Sequence, residues 1–465
     1  MNYLEFISTK EKLHIPTGVT NPVSCHHSLF DFQCDVTQWA ASKGRCAIFL
    51  DTGLGKSRIS IDLARIIMAD TGGKALIIAP LSITKQTIRE ALSIGVDVVY
   101  SNDGLSKGPI TITNYEHSHK FNPNDFDIVM LDESSILKSQ DGKFRKRLTD
   151  QWSNTRFRYC FTATPAPNDI AEIGFHAEFL GVMKQSEMLA TFFVHDSNSS
   201  QDWRLKKHAE EPFYKWLASW GITMRRPSDL GYADDGYILP PLSVTPVFID
   251  SQWKPDGALF ADKIRGLTDR IKIRKNTVND KVAKTAEIVN SISGQWIVWG
   301  GLNPETDALH KLIPGSVNVQ GSDSPEFKAD TFESFQNGNI RVLISKVSIA
   351  GFGMNFQSCN RMVFCGINDS YESFYQAIRR CYRFGQNRPV DVRVVITEPE
   401  DAIFQNVLSK EREADNMRSK LIDCIRNYEL EELNQFSRTN TYVANQDVIL
   451  PTFMRKYESY STVSK

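Results

Sequence analysis

Residues 50–57 have a composition and spacing that suit phosphate binding. This segment reads LDTGLGKS and lies between the apolar run CAIFL and a helical pattern. Glycines allow backbone N–H groups to face a phosphate, and the first turn of a helix adds favourable dipole charge. Lys56 would then reach the terminal phosphates of a nucleotide, and Ser57 would hold Mg²⁺. The alternative is a glycine-rich turn closed by a solvated lysine, because Leu50 replaces the first glycine of the usual pattern.

Polar residues also stand at the ends of two further apolar runs that are typical of strands. Asp132 and Glu133 follow FDIVML, and Thr162 and Thr164 stand at the end of FRYCFT. The carboxyl edge of a parallel sheet is where α/β proteins bind ligands. Asp132 suits the outer sphere of Mg²⁺, and Glu133 suits activation of the water that attacks a γ-phosphate. The threonine hydroxyls could sense that phosphate; a solvated turn and a proline-terminated strand end are the respective alternatives.

Two arginines in the second half of the chain suit the same chemistry. They lie in the segment YQAIRRCYRFGQ, residues 375–386. Arg380 and Arg383 are three positions apart, which predicts neighbours on one helix face. Their guanidinium groups could reach a shared anion and stabilise a phosphoryl group during transfer. The alternative is a salt-bridged surface helix.

Parallel sheets are the elements that would bring these segments together. Short apolar runs alternate with helical patterns from residue 46 to about 180, and the alternation returns after about residue 250. This pattern predicts two α/β domains, with an irregular region over 181–250 between them. A charged amphipathic helix is predicted over 400–430. The predicted strands are CAIFL, ALIIAP, ITITNY, FDIVML and FRYCFT in the first domain, and QWIVWG, SVNVQ, IRVLIS, NRMVFCG and VDVRVVIT in the second.

The charge balance and the lack of long apolar runs argue against some classes of protein. The 54 Lys and Arg residues nearly balance 55 Asp and Glu, and the net charge of −1 excludes a basic coat for non-specific nucleic-acid binding. A local basic track is still compatible, and the run from Lys263 to Lys284 is either such a track or a solvated helix face. No run is long enough to span a bilayer and no secretory signal is apparent, so we expect a cytoplasmic protein without membrane contact.

The cysteines predict reduced thiols, since a chain of 465 residues has 8 of them and no CxxC pair. One cluster could bind a metal instead. Zinc could be held by Cys25, His26, His27 and Cys34, although their spacing matches no standard finger.

The ordered motifs resemble those of superfamily-two helicase ATPases, specifically the Swi/Snf-like double-stranded-DNA translocases. The resemblance runs from Leu29 to about Ile396, and begins with LFDFQCDVTQW, similar to the adenine-reading Q motif, and DTGLGKS, similar to motif I. The segments ALIIAPLSITKQ, ITITNYE, DESS and TATPAPND resemble the motifs that follow in order, and ITMRRPSDL with ILPPL resembles the family's connection between lobes. SKVSIAGFGMNFQSCNRMVF and YQAIRRCYRFGQNRPV are similar to motifs V and VI. The compact size is most like versions encoded by bacteriophages and mobile elements.

The resemblance implies roles for individual residues. Gln33 would read the adenine base, and Arg380 and Arg383 would act as arginine fingers beside the catalytic Lys56, Asp132 and Glu133. Thr162 and Thr164 would couple the loss of the γ-phosphate to motion, and Ser57 and Asp132 would hold Mg²⁺. The residues implied to bind ATP are Gln33, Thr52, Gly53, Leu54, Gly55, Lys56, Ser57, Gly353 and Gln376, and those implied to contact DNA are Lys85, Asn114, Tyr115 and Lys346.

We therefore expect two RecA-like α/β domains with an irregular, mainly helical linker region and a C-terminal helix. The predicted boundaries are 1–180 for the ATP-binding lobe with its Q-motif segment, 181–280 for the linker region, 281–400 for the second lobe, and 401–465 for the C-terminal helix and tail. The expected function is translocation on double-stranded DNA and remodelling of DNA or protein–DNA complexes, driven by ATP and Mg²⁺, in a bacterial host cytoplasm. Double-stranded or branched DNA is the expected nucleic-acid partner. A strand-separating, fork- or branch-remodelling helicase and a non-catalytic DNA-binding scaffold of a restriction–modification assembly are the alternatives. A DNA-modification, replication or recombination protein is the expected partner.

Overall fold

Two parallel sheets organise the chain in the computed structural model, which describes residues 14–20, 23–138, 142–166, 169–195, 203–249, 277–350, 355–368 and 370–438. Their strands are short apolar runs, as is typical of parallel sheets buried on both faces. The strands are β1 Arg45–Leu50, β2 Ala75–Ala79, β3 Val98–Tyr100, β4 Ile110–Asn114, β5 Ile128–Asp132, β6 Phe157–Phe161, β7 Phe193–His195, β8 Trp203–Leu205, β9 Gly221–Met224, β10 Leu242–Ile249, β11 Trp296–Gly300, β12 Ser316–Val319, β13 Val342–Lys346, β14 Arg361–Cys365 and β15 Val390–Thr397.

The strand order defines two lobes. The first lobe has seven strands in the order β3-β4-β2-β5-β6-β1-β9, and the second lobe has six in the order β10-β15-β14-β11-β13-β12. Strands β7 and β8 form a separate antiparallel pair. The two helix-flanked parallel sheets confirm the predicted fold class of two RecA-like domains.

Helices cover the sheets and supply the N-termini that face the carboxyl edges of the strands. In the described part of the chain, none of them combines the length and apolarity that a membrane span requires. The α-helices are α1 Asp31–Lys43, α2 Lys56–Thr71, α3 Leu81–Ser93, α4 Gly142–Gln151, α5 Ile173–Leu180, α6 Gln185–Phe192, α7 Glu210–Ala218, α8 Val278–Ser291, α9 Asn303–Leu312, α10 Pro325–Gln336, α11 Val347–Ala350, α12 Tyr371–Ile378 and α13 Asp401–Arg438.

Every strand predicted from the sequence is present, and the region expected to be irregular contains further strands. Within it, β9 pairs with β1 at the edge of the first sheet, and β10 pairs with β15 along its full length at the edge of the second. Sequence patterns missed β10 because it is a half-exposed edge strand that contains Pro246, a residue that central strands exclude. The chain between the two lobes is therefore partly built into both sheets.

The C-terminal helix α13 returns from the second lobe to the first. It begins just after β15, yet it packs against α7, α1 and β9 of the first lobe. Lys420 lies 3.3 Å from the carboxylate of Glu210, and the Arg225 guanidinium donates to the Ser419 hydroxyl at 3.0 Å. By contrast, the apolar core clusters of the two lobes share no residues. Helix α13 is therefore a physical tie between the lobes.

The expectation of reduced thiols is wrong for one pair, because Cys25 and Cys34 are joined by a disulfide. A turn before α1 brings their Cα atoms to 5.7 Å, a separation that a disulfide can bridge. Among the described residues, no group of His, Cys, Asp and Glu side chains could hold a metal ion, so the zinc cluster is absent from this part of the chain. Among the described residues, cysteines 46, 160, 359, 365 and 381 are buried and form no disulfide.

A buried ion pair in the second lobe gives a test of this packing. Lys281 of α8 lies 2.8 Å from Glu400, and both side chains are almost fully buried. Lys281→Met should lower the free energy of unfolding by about 3–5 kcal/mol, because it leaves a buried carboxylate without its cation. Urea denaturation followed by circular dichroism measures this loss.

The matched control is Lys284→Met on the same helix. Lys284 lies 2.7 Å from Glu287 in an exposed pair, for which a loss of about 0–1 kcal/mol is expected. Equal losses in the two variants would contradict the assigned difference in burial.

Candidate active site

The phosphate loop, residues 51–56, leaves β1 and enters α2 as the sequence predicts. Gly53 and Gly55 have φ of 93° and 83°, left-handed values that a side chain disfavours. Gly55 is the N-cap of α2, so the loop ends at a helix N-terminus suited to an anion. The Lys56 ammonium donates to the carbonyls of Leu50 at 2.9 Å and Asp51 at 3.3 Å.

Carboxylates surround the Lys56 ammonium. Burial lowers the pKa of Lys56, while the negative charges of Glu133, Asp132 and Asp51 oppose that shift. The cation is thus close to both predicted acids without forming a direct ion pair in the described contacts.

Gln33, predicted to read adenine, clamps the phosphate loop. Its amide nitrogen donates to the Leu54 carbonyl at 3.0 Å, and its amide oxygen accepts the Phe30 N–H at 3.0 Å. The side chain is buried, and its nitrogen would lie 2.2 Å from a Cβ placed on Gly55. Gln33 therefore fixes the entrance to α2, a role that the sequence did not predict.

The acid pair lies at the carboxyl end of β5, as expected. Asp132 is the last residue of the strand, and the Tyr115 hydroxyl donates to its backbone carbonyl at 2.7 Å. In the part of the chain that the structure describes, Glu133 is the one residue other than glycine with positive φ, 55°. Backbone strain of this kind is concentrated at functional sites. Burial raises the pKa of Asp132 to about 7, and the adjacent Glu133 charge adds to the shift.

The residues present fit a magnesium ion. Asp132 and Ser57 offer the oxygen ligands that Mg²⁺ prefers, from the end of β5 and the first turn of α2. The buried carboxylate of Asp132 and the adjacent, half-buried carboxylate of Glu133 concentrate negative charge that a divalent cation would neutralise.

The predicted coupling threonines connect the two lobes. The Thr162 hydroxyl accepts the Thr164 N–H at 3.1 Å, and the Thr164 hydroxyl donates to Glu372 of α12 at 3.5 Å. Glu372 also forms a close ion pair with Lys138, which follows the acid pair along the chain. Sequence reasoning missed both Glu372 and Lys138, because their contact joins residues far apart in the chain.

The structure brings Arg380 close to Glu133 and Arg383 close to Lys56, but not on a helix. Helix α12 ends at Ile378, and the next backbone bonds include Arg380 N–H to Ala377 and Arg383 N–H to Cys381. The prediction of one helix face is therefore wrong, since turns follow the helix here, although the Tyr382 N–H still donates to the Ile378 carbonyl at 2.9 Å. Burial lowers the pKa of Arg380 to about 10; the positive Arg383 adds to this and the Glu133 charge opposes it.

Of two further residues predicted to bind ATP, the structure describes Gln376 but not Gly353. Gln376 is buried on α12 and its amide nitrogen donates to Glu372 at 3.4 Å. Its amide oxygen has no hydrogen-bond partner within the described residues, and so could accept one from a ligand. Gly353 lies outside the described residues.

Asp51 and Phe384 were not predicted, yet both join the phosphate loop to the second lobe. The Asp51 carboxylate lies 3.2 Å from the Arg379 guanidinium. Phe384 packs over Gly53, where a Cβ would approach its backbone at 3.1 Å, and its ring lies 4.6 Å from that of Tyr237. Neither contact has a local sequence signal.

A cleft of about 1180 Å³ separates the two lobes beside this site. Its wall includes side chains of α3 and of the acid-pair segment on one side and of α10 and α12 on the other. Glu133 and Glu372 also face it, so the cleft and the acid pair share residues. The cations that line it are Lys85, Arg89, Lys138 and Lys328.

The residues predicted to contact DNA are distributed unevenly around this cleft. Lys85 is exposed on its wall, whereas Tyr115 lines it but is itself largely buried. Asn114 is buried, and its side chain accepts the His117 N–H at 3.3 Å. Lys346 lines a separate cavity of about 130 Å³ in the second lobe. Most of the basic run 263–284 lies outside the described residues.

The second lobe matches a known family. Residues 306–385 match the family described as helicase conserved C-terminal domain, and this match spans α9 to the arginine turn. This region is similar to helicase C-terminal domains. Together with the phosphate loop and acid pair, this likeness supports an ATP-hydrolysing enzyme of the helicase type. The match and the relatives support the predicted superfamily-two, Swi/Snf-like type.

Curated relatives of the helicase chain are distant. It is 21% identical over 428 residues to the SWI/SNF-related matrix-associated actin-dependent regulator of chromatin subfamily A-like protein 1 of Drosophila melanogaster, covering 83% of this chain and 55% of that protein. It is 22% identical to the uncharacterized ATP-dependent helicase YqhH of Bacillus subtilis, covering 85% and 78%. A 26% identical segment covers 28% of this chain and 13% of the bifunctional helicase and thymine dioxygenase JBP2 of Leishmania tarentolae. The chain thus spans about half the length of the Drosophila relative.

A solved structure, that of the Sulfolobus solfataricus SWI2/SNF2 ATPase core in complex with dsDNA, is similar at 18% identity. The alignment covers 90% of this chain and 97% of the Sulfolobus chain, with a TM-score of 0.42.

The contact between Gly55 and Gln33 predicts that Gly55→Ala disables the site. The new Cβ would force Gln33 from the Leu54 carbonyl and displace the loop, and a displacement of about 1 Å can cost on the order of 10²-fold in turnover. Steady-state ATPase assays, with titration of a fluorescent ATP analogue, measure the change.

Gly72→Ala is the matched control at the other end of α2. Gly72 also has positive φ, 68°, but a Cβ there meets nothing within 4 Å. We expect a stability loss of about 1–2 kcal/mol from backbone strain and normal turnover. Normal turnover in Gly55→Ala would contradict the clamp assigned to Gln33.

Proposed function

We propose that the chain is a DNA-dependent ATPase that couples hydrolysis at the phosphate loop to movement along double-stranded DNA. One observation carries this proposal: Glu133 and Glu372 line the cleft between the lobes and also belong to the network around the acid pair. A ligand in the cleft would therefore contact residues that also control hydrolysis.

In the proposed reaction, the loop amides and Lys56 bind the nucleotide phosphates. Asp132 and Ser57 would hold Mg²⁺, which would screen phosphate charge. Glu133 accepts a proton from a water molecule as the water oxygen attacks the γ-phosphorus. The bond between the γ-phosphorus and the bridging oxygen breaks, and that oxygen leaves with ADP. Arg380 and Arg383 stabilise the charge on the transferred group, because Arg380 approaches Glu133 and Arg383 approaches Lys56 from the second lobe.

The cleft suits the phosphate backbone of a nucleic acid. Lys85, Arg89 and Lys138 line it from the first lobe, and Lys328 lines it from the second. Cations of this kind bind phosphates irrespective of base sequence, and a track on both lobes would be gripped alternately as the lobes move. We infer that the bound nucleic acid crosses both lobes through its phosphates.

The ion pair of Lys138 with Glu372 could couple DNA binding in the cleft to the residues around the ATP site. A phosphate entering the cleft would compete with Glu372 for Lys138. Glu372 would then be released toward its other partners, Thr164 and Gln376. DNA in the cleft would in this way reorganise the residues that connect the two lobes at the site.

Double-stranded DNA is the proposed track because the Drosophila relative is named as a SWI/SNF-related regulator of chromatin. Movement along the duplex would remodel DNA or protein–DNA complexes. Strand separation at forks is the competing activity that the experiment below distinguishes. The DNA-modification or recombination partner, the cytoplasmic location and the phage or mobile-element source stay predictions from the sequence.

Duplex DNA should stimulate ATP hydrolysis more than single-stranded DNA or RNA, and the chain should displace the third strand of a triplex. Stimulation should fall steeply with added salt, because phosphate contacts release counterions. The measurements are ATPase turnover on each nucleic acid at several salt concentrations, and triplex displacement with forked-duplex unwinding in parallel.

Glu133→Gln serves as the control, since it keeps the shape of the side chain but cannot take the proton. It should bind a fluorescent ATP analogue normally and displace no strand. Fork unwinding without triplex displacement would instead support a strand-separating helicase, and hydrolysis indifferent to every nucleic acid would contradict DNA dependence.

A further inference from the structure

A carboxylate of the phosphate loop is held by the second lobe, although no proposed step of hydrolysis uses it. Asp51 is buried, with 8% of its surface exposed. Its Oδ1 accepts the Thr52 N–H at 2.6 Å and the Tyr375 hydroxyl at 2.5 Å, and its Oδ2 lies 3.2 Å from Arg379 Nη2. One side chain therefore connects the loop backbone to α12 and the turn that follows it.

Arg418 brings a third segment, the C-terminal helix α13, to the same place. Its side chain is 7% exposed, and its Nη1 donates to the Tyr375 hydroxyl at 3.4 Å. The guanidinium carbons of Arg418 and Arg379 lie 5.1 Å and 4.9 Å from the centroid of the Tyr375 ring. Both distances are within the range of cation–π attraction. We call Asp51, Tyr375, Arg379 and Arg418 the closure network.

Charge holds the closure network together. Burial alone would raise the pKa of Asp51, but Arg379 and Arg418, with the Tyr375 hydroxyl and the Thr52 amide, hold it below its usual value. Burial opposes the charge on Arg418, whereas Tyr375 and Asp51 raise its pKa. The network is thus a buried anion compensated by two cations, and removal of either cation leaves the anion less compensated.

The closure network also adjoins the arginines proposed to act on phosphate. Arg379 directly precedes Arg380, whose Nε donates to the Gln376 carbonyl at 3.1 Å. The negative charge of Glu133 opposes the lowering of the Arg380 pKa by burial. A shift of Arg379 would therefore move Arg380 relative to the acid pair. Helix α13 anchors the other side, through Ser419 to Arg225 and Lys420 to Glu210 of the first lobe.

We propose that Asp51 and Arg418 are positioning residues for hydrolysis, and that the C-terminal helix sets turnover by fixing the arginine turn against the phosphate loop through the closure network. The inference rests on the proposed roles of Arg380 and Arg383. It assigns a role in the reaction to α13, which supplies no group to the phosphate site itself.

The test uses Arg418→Met and Asp51→Asn in the full chain, alone and combined. Arg418→Met should lower kcat roughly 10- to 100-fold, because misplacement of a reacting group by about 1 Å has that cost, while affinity for a fluorescent ATP analogue stays at the wild-type value. The combined variant should be no slower than the slower single variant, since both changes break one network. Arg418→Lys, which restores the charge, should recover part of kcat.

Arg412→Met is the matched control, because it removes the same charge from an exposed position on the same helix. It should leave kcat unchanged. If Arg418→Met does not fold, Tyr375→Phe, which removes only the shared hydroxyl, should show the same split between kcat and affinity.

Normal kcat in Arg418→Met or in Tyr375→Phe would overturn the proposal. So would a parallel loss of kcat, ATP affinity and melting temperature without rescue by Arg418→Lys, which is the result expected of a purely structural tie. A wild-type chain that hydrolyses no ATP would overturn the proposed function instead.

Discussion

The ion pair between Asp51 and Arg379 is the contact on which the arrangement of the candidate site depends. A buried carboxylate is costly unless cations and hydrogen-bond donors compensate it, and those that serve Asp51 include groups on the other lobe. The apolar clusters end within each lobe, so they do not fix the lobes relative to each other. Charged and polar contacts do so, together with the packing of Phe384 against Gly53 and Tyr237, and ion pairs can exchange their carboxylates for phosphates. An interface of this kind can change with each nucleotide, as a motor requires.

Parallel-sheet topology determines which residues can meet at this interface. The phosphate loop, the acid pair and the threonines follow β1, β5 and β6, neighbours in the order β5-β6-β1. Their shared carboxyl edge brings the three groups together, and the second lobe offers α12 and its turn to the same edge. Site chemistry therefore follows from strand order and from the pairing of charges across the lobes.

Local signals explain why much of the site is predictable from the sequence. Lys56 and Glu133 each follow an apolar strand, and the order of motifs identifies the helicase type before any contact is known. The spacing of Arg380 and Arg383 predicts a pair on one helix face. In the structure α12 ends at Ile378, before both residues. Spacing alone does not reveal that Phe384 packs against Gly53 and that the chain turns there.

Other parts of the site have no local signal. Asp51 and Tyr375 are 324 residues apart, and Lys138 and Glu372 are 234 apart, so only folding reveals these pairs. Strand β10 was missed because an exposed edge strand lacks the continuous apolar run of a central one. The disulfide of Cys25 and Cys34 could not be predicted from the number of cysteines. That number characterises the whole chain and does not show that a turn brings these two residues together.

The central claim is that hydrolysis takes place at a site completed by both lobes. The most direct measurement compares kcat with affinity for a fluorescent ATP analogue in Arg380→Ala and Arg383→Ala. Both arginines lie on the second lobe, with Arg380 near Glu133 and Arg383 near Lys56 of the first, so each variant should lose on the order of 10³-fold in kcat and bind the analogue as tightly as wild type. Wild-type kcat in both variants would contradict the account, because the first lobe would then hydrolyse ATP without these arginines.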